Sequence, residues 1–256
     1  MWNPNQYERF KAERDLPFFD LMGMLRRDPR PARSMRVLDL GCGTGELTSV
    51  LHRDLGAAET LGIDSSAEML ARAPNVPGLR FEKANIETFA PSAPFDLVWS
   101  NAALQWVQDH TSLFARLTKF VAPGGQIAVQ MPANFDYPTH VIAAKVAAEA
   151  PFAEGAATPY RRDFPLLTPE GYAKLLYDLG YTKQCVRLQV YAHLLPSRED
   201  VVEWVKGSLL TDYQSRLSPE LYELFLARYK ERLLPELADT RPFFYPFKRL
   251  LIWGSR

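Results

Sequence analysis

Val37-Leu-Asp-Leu-Gly-Cys-Gly-Thr-Gly45 is an apolar run that ends in three glycines at alternating positions, and a helical pattern follows it to Leu55. Such a pattern describes a strand, a tight turn and a departing helix. Glycine lets the backbone turn sharply and lets a ligand come close to the main chain. The first N–H groups of the following helix have no partner within the helix and can bind a ligand. Nineteen residues beyond Gly45, Asp64 closes a second apolar run, Thr60-Leu-Gly-Ile-Asp64. A carboxylate there can accept both hydroxyls of a ribose. The stretch reads as the cradle of a nucleoside-containing cofactor.

Outward from this cradle, strands and helices alternate. The pattern predicts strands over 35–40, 59–63, 79–83, 95–100 and 126–131, with helices over 45–55, 66–73 and 113–121. The strand over 95–100 is apolar throughout, which suits a central strand covered on both faces. This alternation predicts an α/β fold with a parallel sheet and helices on both sides. Upstream, 5–27 reads as a helix with Tyr7, Phe10 or Lys11, and Arg14 on one face, ended by Pro29 and Pro31. It serves either as an amphipathic cap over the core or as a lid over the ligand. Downstream of Met131 the rhythm changes to a segment rich in proline and aromatics. A helix over 168–179, a strand over 184–191, helical pattern over 197–238 and a strand over 247–253 follow. The whole of 1–256 reads as one domain, with a cofactor lid over 1–30, a cofactor-binding core over 35–131, and substrate-side insertions over 132–165 and 197–246.

Composition excludes several classes. Thirty basic and thirty acidic side chains cancel, so nothing favours a nucleic-acid partner. No apolar run is long enough to span a bilayer, and the N-terminal residues lack the apolar segment of a secretory signal. Two cysteines, Cys42 and Cys185, cannot make a disulfide framework, which points to a reducing cytoplasm. No acid–base constellation and no metal-ligand cluster is read from the sequence. His52 is expected on the surface and His110 in a turn.

The glycines are spaced G-x-G-x-G, whereas the dinucleotide fingerprint is G-x-G-x-x-G. Asp39 precedes them by two residues. An acidic group there disfavours a phosphate and favours a cationic or amine-bearing ligand. S-adenosylmethionine carries an amine and a sulfonium and no phosphate, so charge favours it over NAD; an NAD-dependent dehydrogenase is the reading from a different class. Asp64 supports either nucleoside. Ser65-Ser66-Ala67-Glu68-Met69 reads as a helix start with a capping hydroxyl. At the end of the third strand, Asn85 can bond an adenine edge while Ile86 packs its ring. At the end of the fourth, Asn101, Gln105 and Trp106 reach the same rim, although Trp106 also reads as a core aromatic. Ligands of open parallel sheets bind beyond the carboxyl ends of the strands, where all these positions fall.

These residues together resemble the class I S-adenosylmethionine-dependent methyltransferases: V-L-D-L-G-C-G-T-G at 37–45, G-I-D at 62–64, A-N-I at 84–86, F-D-L-V-W-S-N at 95–101 and A-P-G-G at 122–125. The resemblance implies a Rossmann-like sheet of seven strands, mostly parallel, whose last strand runs antiparallel, with an N-terminal helical cap and helical insertions. A closer resemblance, to the trans-aconitate methyltransferases, rests on Trp2-Asn3-Pro4, Tyr7, Phe10 and Glu13-Arg14, on Asn101–Trp106, on Gln130–Asn134 and Pro138–Val141, and on Tyr191-Ala192-His193 with Pro196-Ser197. Asn85 departs from it, since Asp is frequent there in that family.

The implied reaction is carboxyl O-methylation of a small tricarboxylate, with no general base because the acceptor is already ionised at neutral pH. The implied cofactor contacts are Tyr7, Arg14, Asp39, Gly41, Gly43, Gly45, Asp64, Ser65, Met69, Asn85, Ile86, Asn101, Gln105 and Trp106. A tricarboxylate needs cationic partners, for which Arg161, Arg162 and His193 are the expected residues, with hydroxyl donors from Tyr191 and Tyr137; Arg241 and Lys248 are further candidates. A malonyl thioester on a carrier protein is the alternative acceptor.

Overall fold

The computed structural model describes residues 11–26, 35–154 and 166–256, with side chains from Asp15 onward. The expectations for Tyr7, Arg161, Arg162 and the Arg14 side chain lie outside the described residues.

Helix α1 (Lys11–Met22) precedes β1 (Arg36–Leu40). Then follow α2 (Glu46–Leu55), β2 (Glu59–Asp64), α3 (Ala67–Leu70), β3 (Leu79–Lys83), β4 (Phe95–Asn101), α4 (His110–Thr118) and β5 (Val121–Pro132). The second half holds α5 (Pro138–Ala147), α6 (Pro169–Asp178), β6 (Lys183–Leu195), α7 (Glu199–Lys206), α8 (Leu209–Arg216), α9 (Pro219–Leu233) and β7 (Phe243–Ser255). The strands form one seven-stranded sheet in the order β3-β2-β1-β4-β5-β7-β6. β1 pairs in parallel with β2 and β4, β2 with β3 and β4 with β5, whereas β7 runs antiparallel to β5, as the resemblance implied. The order reverses between β1 and β4, which is where an open α/β sheet leaves a crevice for ligands. Among the described residues no helix is long and apolar enough to cross a membrane.

The chain forms two compact units. One comprises Leu16–Pro132, Leu166–Gln189 and Arg249–Arg256. On one face of its sheet, Val37, Leu97, Trp99, Ala128, Leu251 and Trp253 are buried with Phe18 and Leu21 of α1 and Leu51 of α2. Phe18 meets Trp99 edge-on at 5.2 Å, so this part of α1 is anchored in the core. Gln126 fastens the chain that follows α1: it accepts from Arg26 N–H at 2.9 Å and from the Trp253 indole at 2.8 Å, and donates to the Arg26 carbonyl at 3.0 Å.

The other unit comprises Met1–Asp15, Ala133–Pro165 and Val190–Lys248, and thus gathers the expected insertions. Its core is aromatic. Tyr213 stacks on Phe225 at 4.8 Å, and Trp204, Tyr245 and Phe247 surround His193. Trp204 is core, as its helical spacing with Val201 predicts.

Three local expectations change. α4 begins at His110 instead of 113, because the Asp109 carboxylate caps it by accepting Ser112 N–H at 3.1 Å. β5 begins at Val121 instead of 126: Val121 pairs with Phe95 and the Pro-Gly-Gly segment is absorbed as an irregularity in the register. His52 is buried, not on the surface. It lies with Thr48 and Leu51 on the inner side of α2, and its ring bonds the Thr60 hydroxyl of β2 at 2.8 Å.

The turn after β1 tolerates no side chain at its last glycine. Gly45 is buried with φ +72°, and a Cβ there would overlap the Phe81 ring. Gly45→Ala is expected to lower the unfolding free energy by about 2 kcal/mol or more, read as a shift in the urea midpoint; an unchanged midpoint would show that the ring yields freely.

Candidate active site

The turn between β1 and α2 is tied to the end of β2. Gly41 and Cys42 both donate to the Ile63 carbonyl, at 2.8 and 3.0 Å, and Gly45 donates to Cys42 O at 3.0 Å. Gly43 donates to Asp64 Oδ2 at 2.9 Å, while Asp64 Oδ1 accepts Ser66 N–H at 2.9 Å. Each carboxylate oxygen can accept twice, so both retain room for a ligand hydroxyl. A Cβ on Gly43 would meet nothing nearer than Met69 Cε at 3.7 Å, an ordinary contact, so this glycine is less crowded than the other two. Gly41 differs: its missing Cβ is replaced by the Ala103 methyl, which brings the residues after β4 against the turn. Ser66 caps α3 by accepting Met69 N–H at 3.2 Å, as the sequence predicts, and Ser65 beside it is exposed.

Asp39 is 4% exposed, and its Oδ2 accepts the Thr48 hydroxyl at 2.6 Å. Burial pushes its pKa up to about 7; the Thr48 bond opposes the rise and the charge of Asp64 adds to it. The side chain is turned toward α2 beneath the turn, so it acts on a ligand through its field. Burial, with the same two carboxylates, raises the Cys42 pKa, so that thiol stays protonated and is no nucleophile. Two carboxylates at a bend with no cation bonded to them among the described residues favour a positive ligand.

At the end of β3, Asn85 is exposed and its Oδ1 accepts Glu87 N–H at 2.8 Å. One lone pair and the NH2 group remain for a ligand edge. Ile86 beside it is half-buried. Arg116, whose role is not legible in local sequence, holds this loop by donating to the Ile86 and Phe89 carbonyls.

At the end of β4, Ala102 adopts φ 55°, a left-handed conformation that costs about 1–2 kcal/mol for a residue with a Cβ. It is held on two sides: Gln105 Nε2 donates to its carbonyl at 2.7 Å, and its N–H donates to Gln130 O at 2.9 Å. The short helical turn Leu104–Trp106 leaves Gln105 half-buried and Trp106 42% exposed, so Trp106 is a rim residue and not core. Asn101 Oδ1 and Gln105 Oε1 are buried with no hydrogen-bond partner among the described residues. His110 lies beneath this turn. Its Nε2 meets the Leu104 carbonyl at 3.1 Å, and its Nδ1 meets the Tyr172 hydroxyl. A ring nitrogen facing a carbonyl must donate, so Nδ1 accepts from Tyr172. Burial lowers the His110 pKa and keeps the ring neutral. The expected turn residue is thus a buried positioning group.

The structure brings Asp39, Gly41, Gly43, Gly45, Asp64, Ser65, Met69, Asn85, Ile86, Asn101, Gln105 and Trp106 to the carboxyl ends of four neighbouring strands. Of the expected substrate residues, Tyr191, His193 and Tyr137 belong to the aromatic unit. His193 is buried 4.5 Å from the Trp204 ring, and Tyr137 is half-buried 5.2 Å from Tyr245. Lys248 is paired with Asp136. Among the described residues no three His, Cys, Asp or Glu side chains are grouped to hold a metal. Sequence reading assigned no role to Gln130 or Arg249, both buried at the rim of β5 and β7; the signals were the motif that begins at Gln130 and a charge inside an apolar strand.

A family model described as a methyltransferase domain matches residues 13–186. A trans-aconitate 2-methyltransferase of Deinococcus radiodurans is 41% identical over 260 residues, covering 100% of this chain and 98% of that protein. One from Variovorax paradoxus is 42% identical over 235 residues, covering 91% and 88%. A solved S-adenosylmethionine dependent methyltransferase from Mesorhizobium loti shares the fold, with a TM-score of 0.51 at 22% identity over 95% of this chain and 98% of that one.

Two outcomes are expected of the carboxylates. Asp64→Ala should weaken binding of S-adenosylhomocysteine by about 1–3 kcal/mol, measured by calorimetry; unchanged affinity would remove Asp64 from the site. For Asp39, the native state keeps a proton that the unfolded chain releases near its ordinary value of 3.8. Its contribution to stability is complete below that value and is lost as pH rises toward about 7. Asp39→Asn should therefore gain stability relative to the parent across this window in denaturation at each pH, whereas a constant offset would show that Asp39 does not titrate there.

Proposed function

We propose that this chain, which belongs to the trans-aconitate 2-methyltransferase family, esterifies one carboxylate of trans-aconitate with the methyl group of S-adenosylmethionine. The observation that carries the reading is identity of 41% along the whole chain to a relative of that name. The acidic glycine turn supports the cofactor: Gly43 is open to a close approach, Asp64 keeps acceptor capacity, and the field of Asp39 and Asp64 suits a sulfonium. When bound, S-adenosylmethionine supplies an electrophilic methyl group.

The chain's residues bind and orient. Asp64 takes ribose hydroxyls, Asn85 and Ile86 take the adenine edge and face, Met69 borders Gly43, and Ser65 follows Asp64 in the cofactor set. Asn101, Gln105 and Trp106, at the end of β4, belong to the cofactor set. Tyr7 and Arg14 complete the cofactor set that the resemblance implies, and Arg161, Arg162, His193, Tyr191 and Tyr137 the acceptor set. A carboxylate acceptor is ionised at neutral pH, so no proton has to be removed. Two groups near the turn fit this: the Cys42 thiol is held protonated, and the His110 ring is neutral and engaged with the Leu104 carbonyl. The contribution of the protein is then alignment and exclusion of water from the nucleophile. Free thiols at Cys42 and Cys185 suit the cytoplasm.

With methyl-labelled cofactor, trans-aconitate is expected to yield its monomethyl ester while a malonyl carrier protein yields none. Absence of turnover with the tricarboxylate, or turnover of the carrier protein alone, would overturn the assigned acceptor.

A further inference from the structure

Asn101, Gln130 and Arg249 lie on three neighbouring strands at one end of the sheet. Asn101 is in register with Gln130, Gln130 with Leu251, and Pro132 with Arg249. Partners in register, and residues two apart on one strand, share a face. Gln130 and Arg249 are therefore diagonal neighbours on the face that also holds Trp99, with Cα atoms roughly 7–8 Å apart, within reach of two long side chains. Gln130 is 0% exposed, yet neither atom of its amide has a hydrogen-bond partner among the described residues. Gln126 stands on the same face two rows below, and its amide is engaged by Arg26 and Trp253. Among the described residues the Gln126 amide is thus satisfied and the Gln130 amide is not, which is rare for a buried amide. Arg249 is 6% exposed and two residues from Leu251 and four from Trp253, both core. It has an interaction of its own within the chain; its relevance is a full positive charge at the rim, where a forked guanidinium suits a carboxylate.

We propose that Gln130 and Arg249, flanked by Asn101, form a subsite for a second, non-reacting carboxylate of the acceptor. This rests on the proposed reading that the acceptor is a polycarboxylic acid. The switch between β1 and β4 is where the methyl group must be delivered, and Gln130 and Arg249 lie one and two strands beyond it. An acid with a single carboxylate can react at the switch but leaves the Gln130 amide unengaged and makes no contact with the Arg249 guanidinium. The subsite therefore selects polyacids.

The test uses Arg249→Met, Arg249→Lys and Gln130→Leu, each checked by thermal melting. Trans-aconitate and the monoacid crotonate are the probes, in kinetics with S-adenosylmethionine and in calorimetry on protein loaded with S-adenosylhomocysteine. Arg249→Met is expected to raise the KM for trans-aconitate roughly 10- to 100-fold and remove its calorimetric signal, with affinity for S-adenosylhomocysteine unchanged. Arg249→Lys should recover part of the loss, and Gln130→Leu should raise KM without touching the cofactor. Should Arg249→Met not fold, Gln130→Leu and Arg249→Lys decide. An unchanged KM in the folded variants, or a parallel loss of cofactor affinity, overturns the subsite while turnover by the parent protein leaves the proposed reaction standing. If the parent protein binds trans-aconitate through Arg249 but does not methylate it, the subsite stands and the assigned acceptor falls. A parent protein that neither binds nor methylates trans-aconitate overturns both.

Discussion

Two outer glycines of the turn after β1 have neighbours where a side chain would begin. Ala103 occupies the place of a Cβ on Gly41, and the Phe81 ring that of a Cβ on Gly45. These close approaches draw the residues after β4 and the body of β3 against one backbone segment. Asp64 then fastens the same segment to the end of β2 through Gly43 and Ser66. The relative positions of the site residues on four strand ends follow from this knot. The middle glycine is less crowded and leaves the main chain bare for a ligand.

Charge is distributed to match. Asp39 is buried below the turn and raised in pKa by that burial, and Asp64 lies half-buried at its side. Keeping two carboxylates close together, with no counter-ion bonded to them among the described residues, is unfavourable in isolation and favourable once a cation is bound. The other titratable groups nearby are neutral at physiological pH because burial works against their charged forms: the Cys42 thiol, the His110 ring and the Tyr172 hydroxyl. His110 and Tyr172 spend their hydrogen bonds on the short turn that carries Gln105 and Trp106.

The two glutamines of β5 show how one residue type divides between structure and function. Gln126 links α1's trailing segment to the last strand, with each amide atom engaged. Gln130, four residues on and facing the same way, is also buried, and its amide is unengaged among the described residues. Desolvation of an amide without compensation costs about 1–3 kcal/mol, so stability alone gives no reason for a glutamine at 130. In the aromatic unit the His193 ring is packed among Trp204, Tyr245 and Phe247.

The alternation of strands and helices, the turn at 41–45, the cap at Ser66 and the antiparallel end of the sheet were legible because each is written in local periodicity, glycine spacing or a family motif. Residues whose environment comes from far along the chain were not. His110 looks like a turn residue until Tyr172, sixty-two positions away, closes on its ring, and His52 looks exposed until β2 supplies Thr60. Arg249 is one charge in an apolar strand; its place beside Gln130 exists only because β7 runs antiparallel to β5 in one particular register. By itself the sequence determined the α/β fold, the acidic glycine turn and hence the kind of cofactor, since backbone conformation and charge sign are local properties. Tertiary structure alone decided which histidines are buried, which glutamine is left open and which arginine reaches the rim, because burial and register are set by strands that meet only after folding.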